Sequence, residues 1–237
     1  LTEPGTYRYD RSKWRRYVLA TPAHNTIMVD GLGQHRRGLG ETYQREEPMT
    51  GCWETNDVFD WAIGRYTSGY GPREGEDGRN LPREHDLTSV QHERSLIYVK
   101  AQTEGEQDYF IVIDRMLGED EEEHTYSTLF HLDAETADVQ EKTMRVKTGD
   151  SGQPGIEIIP LLTEGLSLRI VKGQEDPVQG WIPREGLREI PTAIYEKTGA
   201  VPEQFATIIV PYPRGAEPDV DARVLENTPG MIALEIQ

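Results

Sequence analysis

An all-β chain folded as an antiparallel multi-sheet β-sandwich is what this sequence predicts, and three observations predict it. Short runs rich in Val, Ile, Tyr, Phe and Thr recur along the 237 residues, separated by clusters of Gly, Pro, Asp and Asn. Helical periodicity is nearly absent. Two runs, SLIYVK and YFIVIDRML, hold four or more consecutive apolar residues, which suits central strands covered on both faces. Each sheet must bury an apolar face against another layer, so stacked sheets are the simplest architecture. Sandwiches commonly reach this length as one unit, and residues 1–237 read as a single domain.

The elements follow in order. Glu3 precedes Pro4-Gly5, a turn signal, and Tyr7 and Tyr9 then alternate onto one face. In the strand-like context assigned to WRRY, Trp14 and Arg16 share a face and Tyr17 takes the other. His24 opens a strand over residues 25–29. Further strands are expected at 59–66, 93–101, 109–116, 124–132, 144–147, 156–161, 166–171, 193–197, 205–211 and 231–236. TYSTLFHL, within the 124–132 run, alternates cleanly enough for one wet face. GEDEEE, residues 118–123, reads as a solvated hairpin loop, without the ligand spacing of a calcium loop. Residues 69–87 carry too many Gly, Pro and charged residues for a regular element, and loops of such length are commonly functional or disordered. Residues 177–191 are similar, with Trp181 and Ile182 pinning them to the body.

Lys and Arg total 25 against 42 Asp and Glu, a formal net charge of −17. That argues against a nucleic-acid partner, which needs a net basic face, and an anionic ligand must meet a local basic patch. Cys52 is the only cysteine, which excludes an intrachain disulfide and a thiolate cluster; it reads as a half-buried small residue. No apolar run approaches the roughly 18 residues of a membrane span, and the chain opens without a charged-then-apolar signal. It also opens without Met, as expected of a processed piece or an excised domain.

The residues suited to chemistry gather in the first 34. A carboxylate (Glu3), an imidazole (His24), a carboxamide (Asn25) and a cluster of arginines (Arg11, Arg15, Arg16) suit an anionic sugar. Gln34 to Arg37, QHRR, adds further positive charge. If the first segment pairs near His24, Glu3 and His24 can share a metal, but zinc would need at least one more protein ligand. His35, His85, His92, His124 and His131 have no spacing that singles one out, and each reads as structural or solvated, with His131 ending an exposed strand. Tyr17 admits two readings, a packed aromatic or, with nearby cations lowering its pKa, a proton-transfer group.

The pattern GTY-x-Y, an R/Y-rich stretch, then AHNTIMVDGLGQ resembles the C-terminal β-domain of heparinase II/III-like polysaccharide lyases. Residues 91–132 follow the same family in order and spacing, with commoner residue types, and His92 resembles a strand-opening position there. The resemblance implies that Glu3, where Asp is usual, and His24 bind zinc with a third ligand from an upstream stretch absent here. It implies that Tyr17 stands where some members carry a catalytic tyrosine or other aromatic, and that Arg11, Arg15, Arg16 and Asn25 line a substrate wall. It further implies an upstream α/α-toroid supplying most of the catalytic groups, a uronic-acid polysaccharide cleaved by β-elimination, and a secreted or periplasmic bacterial protein. An isolated β-domain would be inactive and would expose an apolar face at its amino-terminal end, compatible with a homodimer. The alternative is a non-catalytic carbohydrate-binding or interaction module on the same fold, supported by the Asp-to-Glu change at Glu3. A freestanding metal-dependent β-sandwich would need two more ligands converging on His24.

Overall fold

The computed structural model describes residues 1–34, 52–71, 88–119, 121–149, 153–184, 186–218, 220–228 and 230–237. Its longer strands are β1 (Ile27–Val29), β2 (Trp53–Thr55), β3 (Phe59–Tyr66), β4 (Gln91–Val99), β5 (Tyr109–Leu117), β6 (His124–His131) and β7 (Thr136–Gln140). They continue as β8 (Arg145–Gly149), β9 (Gly155–Pro160), β10 (Ser167–Val171), β11 (Thr192–Gly199), β12 (Glu203–Tyr212), β13 (Ala222–Thr228) and β14 (Met231–Ile236). An eight-stranded sheet runs β2-β3-β4-β5-β12-β9-β8-β7, a four-stranded sheet runs β1-β6-β11-β10, and every pairing in them is antiparallel. The expected multi-sheet β-sandwich is therefore present.

Strand periodicity explains how the layers meet. On β5, Val112, Asp114 and Met116 point to one face and Ile111 and Ile113 to the other. Val112 joins Phe130 and Tyr195 of the small sheet and Val146, Ile158 and Ile209 of the large one in a core between the sheets. Met116 and Phe205 meet Ile27, Val29 and Tyr126 in a neighbouring core. On the opposite face of the large sheet, Ile111, Ile113, Ile159, Ile208 and Val210 are covered by Ile232, Leu234 and Ile236 of the β13–β14 hairpin.

Among the expected strands, β3 and β14 have the expected boundaries and the others shift by one or two residues at an end. The segment WRRY is the clear correction: Lys13–Val18 is an α-helix, α1, with Ser12 as its N-cap. Ser12 Oγ accepts from the Arg15 amide at 3.2 Å, and Asp10 accepts from the Ser12 amide at 3.0 Å. Val18 is the only β-branched residue of the six, and Lys13, Arg15 and Arg16 are good helix formers. The wet face expected of TYSTLFHL is also absent, since only Thr125 in β6 escapes full burial. β6 lies between β1 and β11, and at His131 the amino-terminal segment covers its second face. His131, read as exposed, is therefore buried. β5 is central and enclosed as expected, whereas β4 keeps Leu96 exposed.

Candidate functional site

The site begins where the amino-terminal segment meets the end of β6. The Thr2 amide donates to the His131 carbonyl at 3.0 Å, which fixes Glu3 beside residues 24 and 25. Pro22, in the 3-10 turn Thr21–Ala23, is followed by extended His24, and the Pro22 carbonyl accepts from His131 Nε2 at 3.1 Å. The amino-terminal segment and the 3-10 turn are thus both tied to one buried histidine.

Glu3 and His24 meet directly. His24 Nδ1 stands 2.6 Å from Glu3 Oε2, and the two side chains are 40 % and 54 % exposed for His24 and Glu3 respectively, so the pair faces solvent. Glu3 Oε1 accepts from the Asn25 amide at 3.1 Å and from Asn25 Nδ2 at 2.8 Å. Partial burial disfavours the charged carboxylate, but the donors from His24 and Asn25 outweigh it and hold the Glu3 carboxyl below its ordinary range.

Asn25 is the joint of the assembly. Its Nδ2 also donates to the Thr2 carbonyl at 2.7 Å, and its Oδ1 accepts from the His131 amide at 2.7 Å. Its own carbonyl accepts from Arg94 Nη1, on the large sheet. The carboxamide expected to touch substrate is engaged within the protein, where it positions Glu3.

The other expected residues separate. Tyr17 is 5 % exposed in a small cluster with Val18, Ala23, Tyr7 and Trp181, and its hydroxyl faces the Gly180 and Trp181 amides. Burial pushes its pKa up to about 12 against the pull of those amides, so its proton is held at neutral pH. Arg15 donates to the Tyr7 carbonyl at 3.3 Å and lies over the Tyr9 ring at 4.6 Å. Arg16 donates to the Arg11 carbonyl at 3.1 Å, and both Arg11 and Arg16 are exposed. Trp181, edge-on to Trp14 with centroids 4.9 Å apart, and the buried Ile182 anchor the 177–191 stretch as expected.

Two donors, Glu3 and His24, suit zinc chemically but make only half of a tetrahedral set. Among the described residues no group of three or more His, Cys, Asp and Glu gathers to complete it. A complete metal centre does not fit this chain's described residues alone. His35, His85 and residues 35–37 of the basic QHRR run lie outside them, as does 72–87, most of the long loop.

The sequence reading missed the parts played by His131, Arg94, Asp114 and His92. His131 is buried, and burial lowers its pKa to about 4, so its ring is neutral. Arg94 and Asp114 form a two-point ion pair, Nε to Oδ1 at 2.6 Å and Nη2 to Oδ2 at 2.8 Å, and His92 Nε2 reaches the same Oδ1 at 2.6 Å. Arg94 and Asp114, charged residues in two central strands that also carry apolar runs, were the available signal.

Comparison with known proteins agrees with this architecture. Solved structures similar to the chain include heparan sulfate lyase HepC of Pedobacter heparinus, at 20 % identity and TM-score 0.63. A heparinase III with methylated lysines matches at 15 % identity and TM-score 0.69. In both cases 99 % of this chain covers 32 % of the other, so the chain spans about a third of their length. No curated protein matches. The family described as heparinase II/III-like, C-terminal, matches residues 1–223, and the chain belongs to that family.

Proposed function

We propose that the chain is the β-sandwich domain of a lyase that cleaves uronic-acid-containing polysaccharides by β-elimination, working with an upstream α/α-toroid. The carrying observation is the Glu3–His24 pair at 2.6 Å, exposed to solvent and braced by Asn25. The family and the lyases named in the similar structures supply the reaction class. β-Elimination removes the acidic C5 proton and expels the C4-linked sugar, which requires neutralising the carboxylate and holding a base and an acid in place. In this proposal the toroid supplies the proton-transfer groups. Exposed Arg11 and Arg16 meet carboxylate or sulfate oxygens, and Glu3 and His24 fix the wall of the cleft.

Zinc belongs to the same proposal as a structural ion held by Glu3, His24 and at least one ligand outside this chain. Tyr17, enclosed and protonated, seats helix α1 beneath the arginines rather than exchanging protons. A bacterial secreted or periplasmic location follows from the polysaccharide substrate; no helix among the described residues is long and apolar enough to cross a membrane.

The test is the parent protein with its upstream region, assayed by the ultraviolet absorbance of unsaturated uronate on heparan-type and alginate-type chains. Turnover that falls about 10–100-fold in His24→Ala is expected. Glycan affinity without turnover in the intact parent would instead support a binding module, the reading favoured by Tyr17's enclosure and by Glu3 in place of Asp.

A further inference from the structure

We infer that Arg94 is the positioning residue of the Glu3–His24 site, held to that task by Asp114. Its catalytic consequence rests on the lyase reading, but the positioning itself does not.

Arg94 and Asp114 face each other across β4 and β5, with His92 beside them and Phe205 of β12 opposite Asp114. Their neighbours on that face, Val112, Met116 and Phe205, are apolar and buried. The Asp114 side chain is 2 % exposed and that of Arg94 23 %. Burial disfavours the Asp114 carboxylate, but Arg94's charge and the His92 hydrogen bond prevail and hold it ionised well below the ordinary range. Well-packed hydrocarbon of similar volume commonly serves stability as well as a buried ion pair does, so stability alone does not call for one here.

The geometry supplies the reason. Two nitrogens of the guanidinium are spent on Asp114, which leaves Nη1 aimed along a fixed direction, and that nitrogen donates to the Asn25 carbonyl. Residues 24–26 lie outside the β ladders, so this carbonyl has no strand partner to place it. Once placed, Asn25 presents its backbone amide and Nδ2 to Glu3 Oε1, and Glu3 in turn presents Oε2 to His24 Nδ1. The chain of contact runs from a central strand of the large sheet to the exposed imidazole without a gap. Only a planar fork can hold two points on Asp114 and a third outward; lysine, a single flexible charge, cannot.

The experiment is nitrogen-15 NMR on the protein and on Arg94→Lys, which keeps a charge beside Asp114. A second variant, Arg94→Met with Asp114→Leu, removes both charges and leaves no orphaned carboxylate. In wild type the His24 ring is expected to show one dominant tautomer, protonated at Nδ1 toward Glu3. Both variants are expected to lose that dominance and to move the Asn25 amide signal, while core signals such as those of Ile158 and Tyr195 stay put. In the parent lyase, Arg94→Lys is expected to lower kcat about 10–100-fold with little change in KM. Unchanged His24 and Asn25 signals in either folded variant overturn the inference, and so do changes that occur only in step with loss of the core signals. A wild-type parent without turnover would sink the lyase reading and leave the NMR result standing.

Discussion

At residue scale the informative groups are the buried polar side chains that hold the site together. His131 Nε2 donates to the Pro22 carbonyl, and burial keeps the ring neutral down to about pH 4. The unfolded chain takes up that proton near 6.5 and the folded one only near 4, so stability rises with pH across that window and is level above it. At 1.36 kcal/mol per pH unit, the contribution is roughly 3 kcal/mol. Urea midpoints measured from pH 4 to 7 should show this slope in the wild type and lose most of it in His131→Gln. Asn25→Ala is expected to cost about 1–3 kcal/mol, because Glu3 Oε1 and the His131 amide both lose a partner. Denaturant unfolding monitored by tryptophan fluorescence checks that value. Asn25→Ser, which keeps only a short polar group, should recover a minor part.

At element scale, most strands could be read directly because each buries a run of β-branched or aromatic residues. The missed ones show why some cannot. β2 and β7 sit at the two edges of the large sheet and β13 lies largely exposed, so ladder pairing alone defines them and no apolar alternation is required. Helix α1 has only six residues, too few for a 3.6-residue period to emerge from WRRY. The site was half legible for a similar reason. The union of Glu3 with His24 could be proposed from motif spacing and the family resemblance, whereas Arg94 and Asp114 lie some seventy and ninety residues downstream of it and become its neighbours only through sheet register. Gly180 carries a further prediction at this scale. Its φ is +76°, and an added Cβ would approach the Val171 carbonyl oxygen at 2.7 Å and the Ile190 carbonyl oxygen at 2.9 Å. Both are backbone atoms, so Gly180→Ala should destabilise by more than about 1 kcal/mol. Circular dichroism melting of that variant against Gly5→Ala, where no atom lies within 4 Å, separates crowding from the shared cost of a positive φ.

At the scale of the whole molecule, the large sheet is apolar on both faces and relies on two different covers. One is the small sheet, and the other is the carboxy-terminal hairpin over Ile111, Ile113, Ile208 and Val210. Truncation after residue 220 should expose that patch without removing a sandwich strand. The expected outcome is strong binding of a hydrophobic dye and concentration-dependent association in sedimentation, with far-ultraviolet dichroism largely retained. A truncated protein that stays monomeric and dye-silent would show that the hairpin is not a cover.

The fastening of Asn25 to His131 in the four-stranded sheet and to Arg94 in the eight-stranded one reaches beyond local geometry. Because one residue clips the two layers together at the mouth of the site, a molecule that settles there and tightens the clip also resists delamination of the sandwich. Occupancy should therefore register as a rise in the melting temperature of the entire domain, so that candidate glycans and ions can be screened by heat alone before any chemistry is assayed.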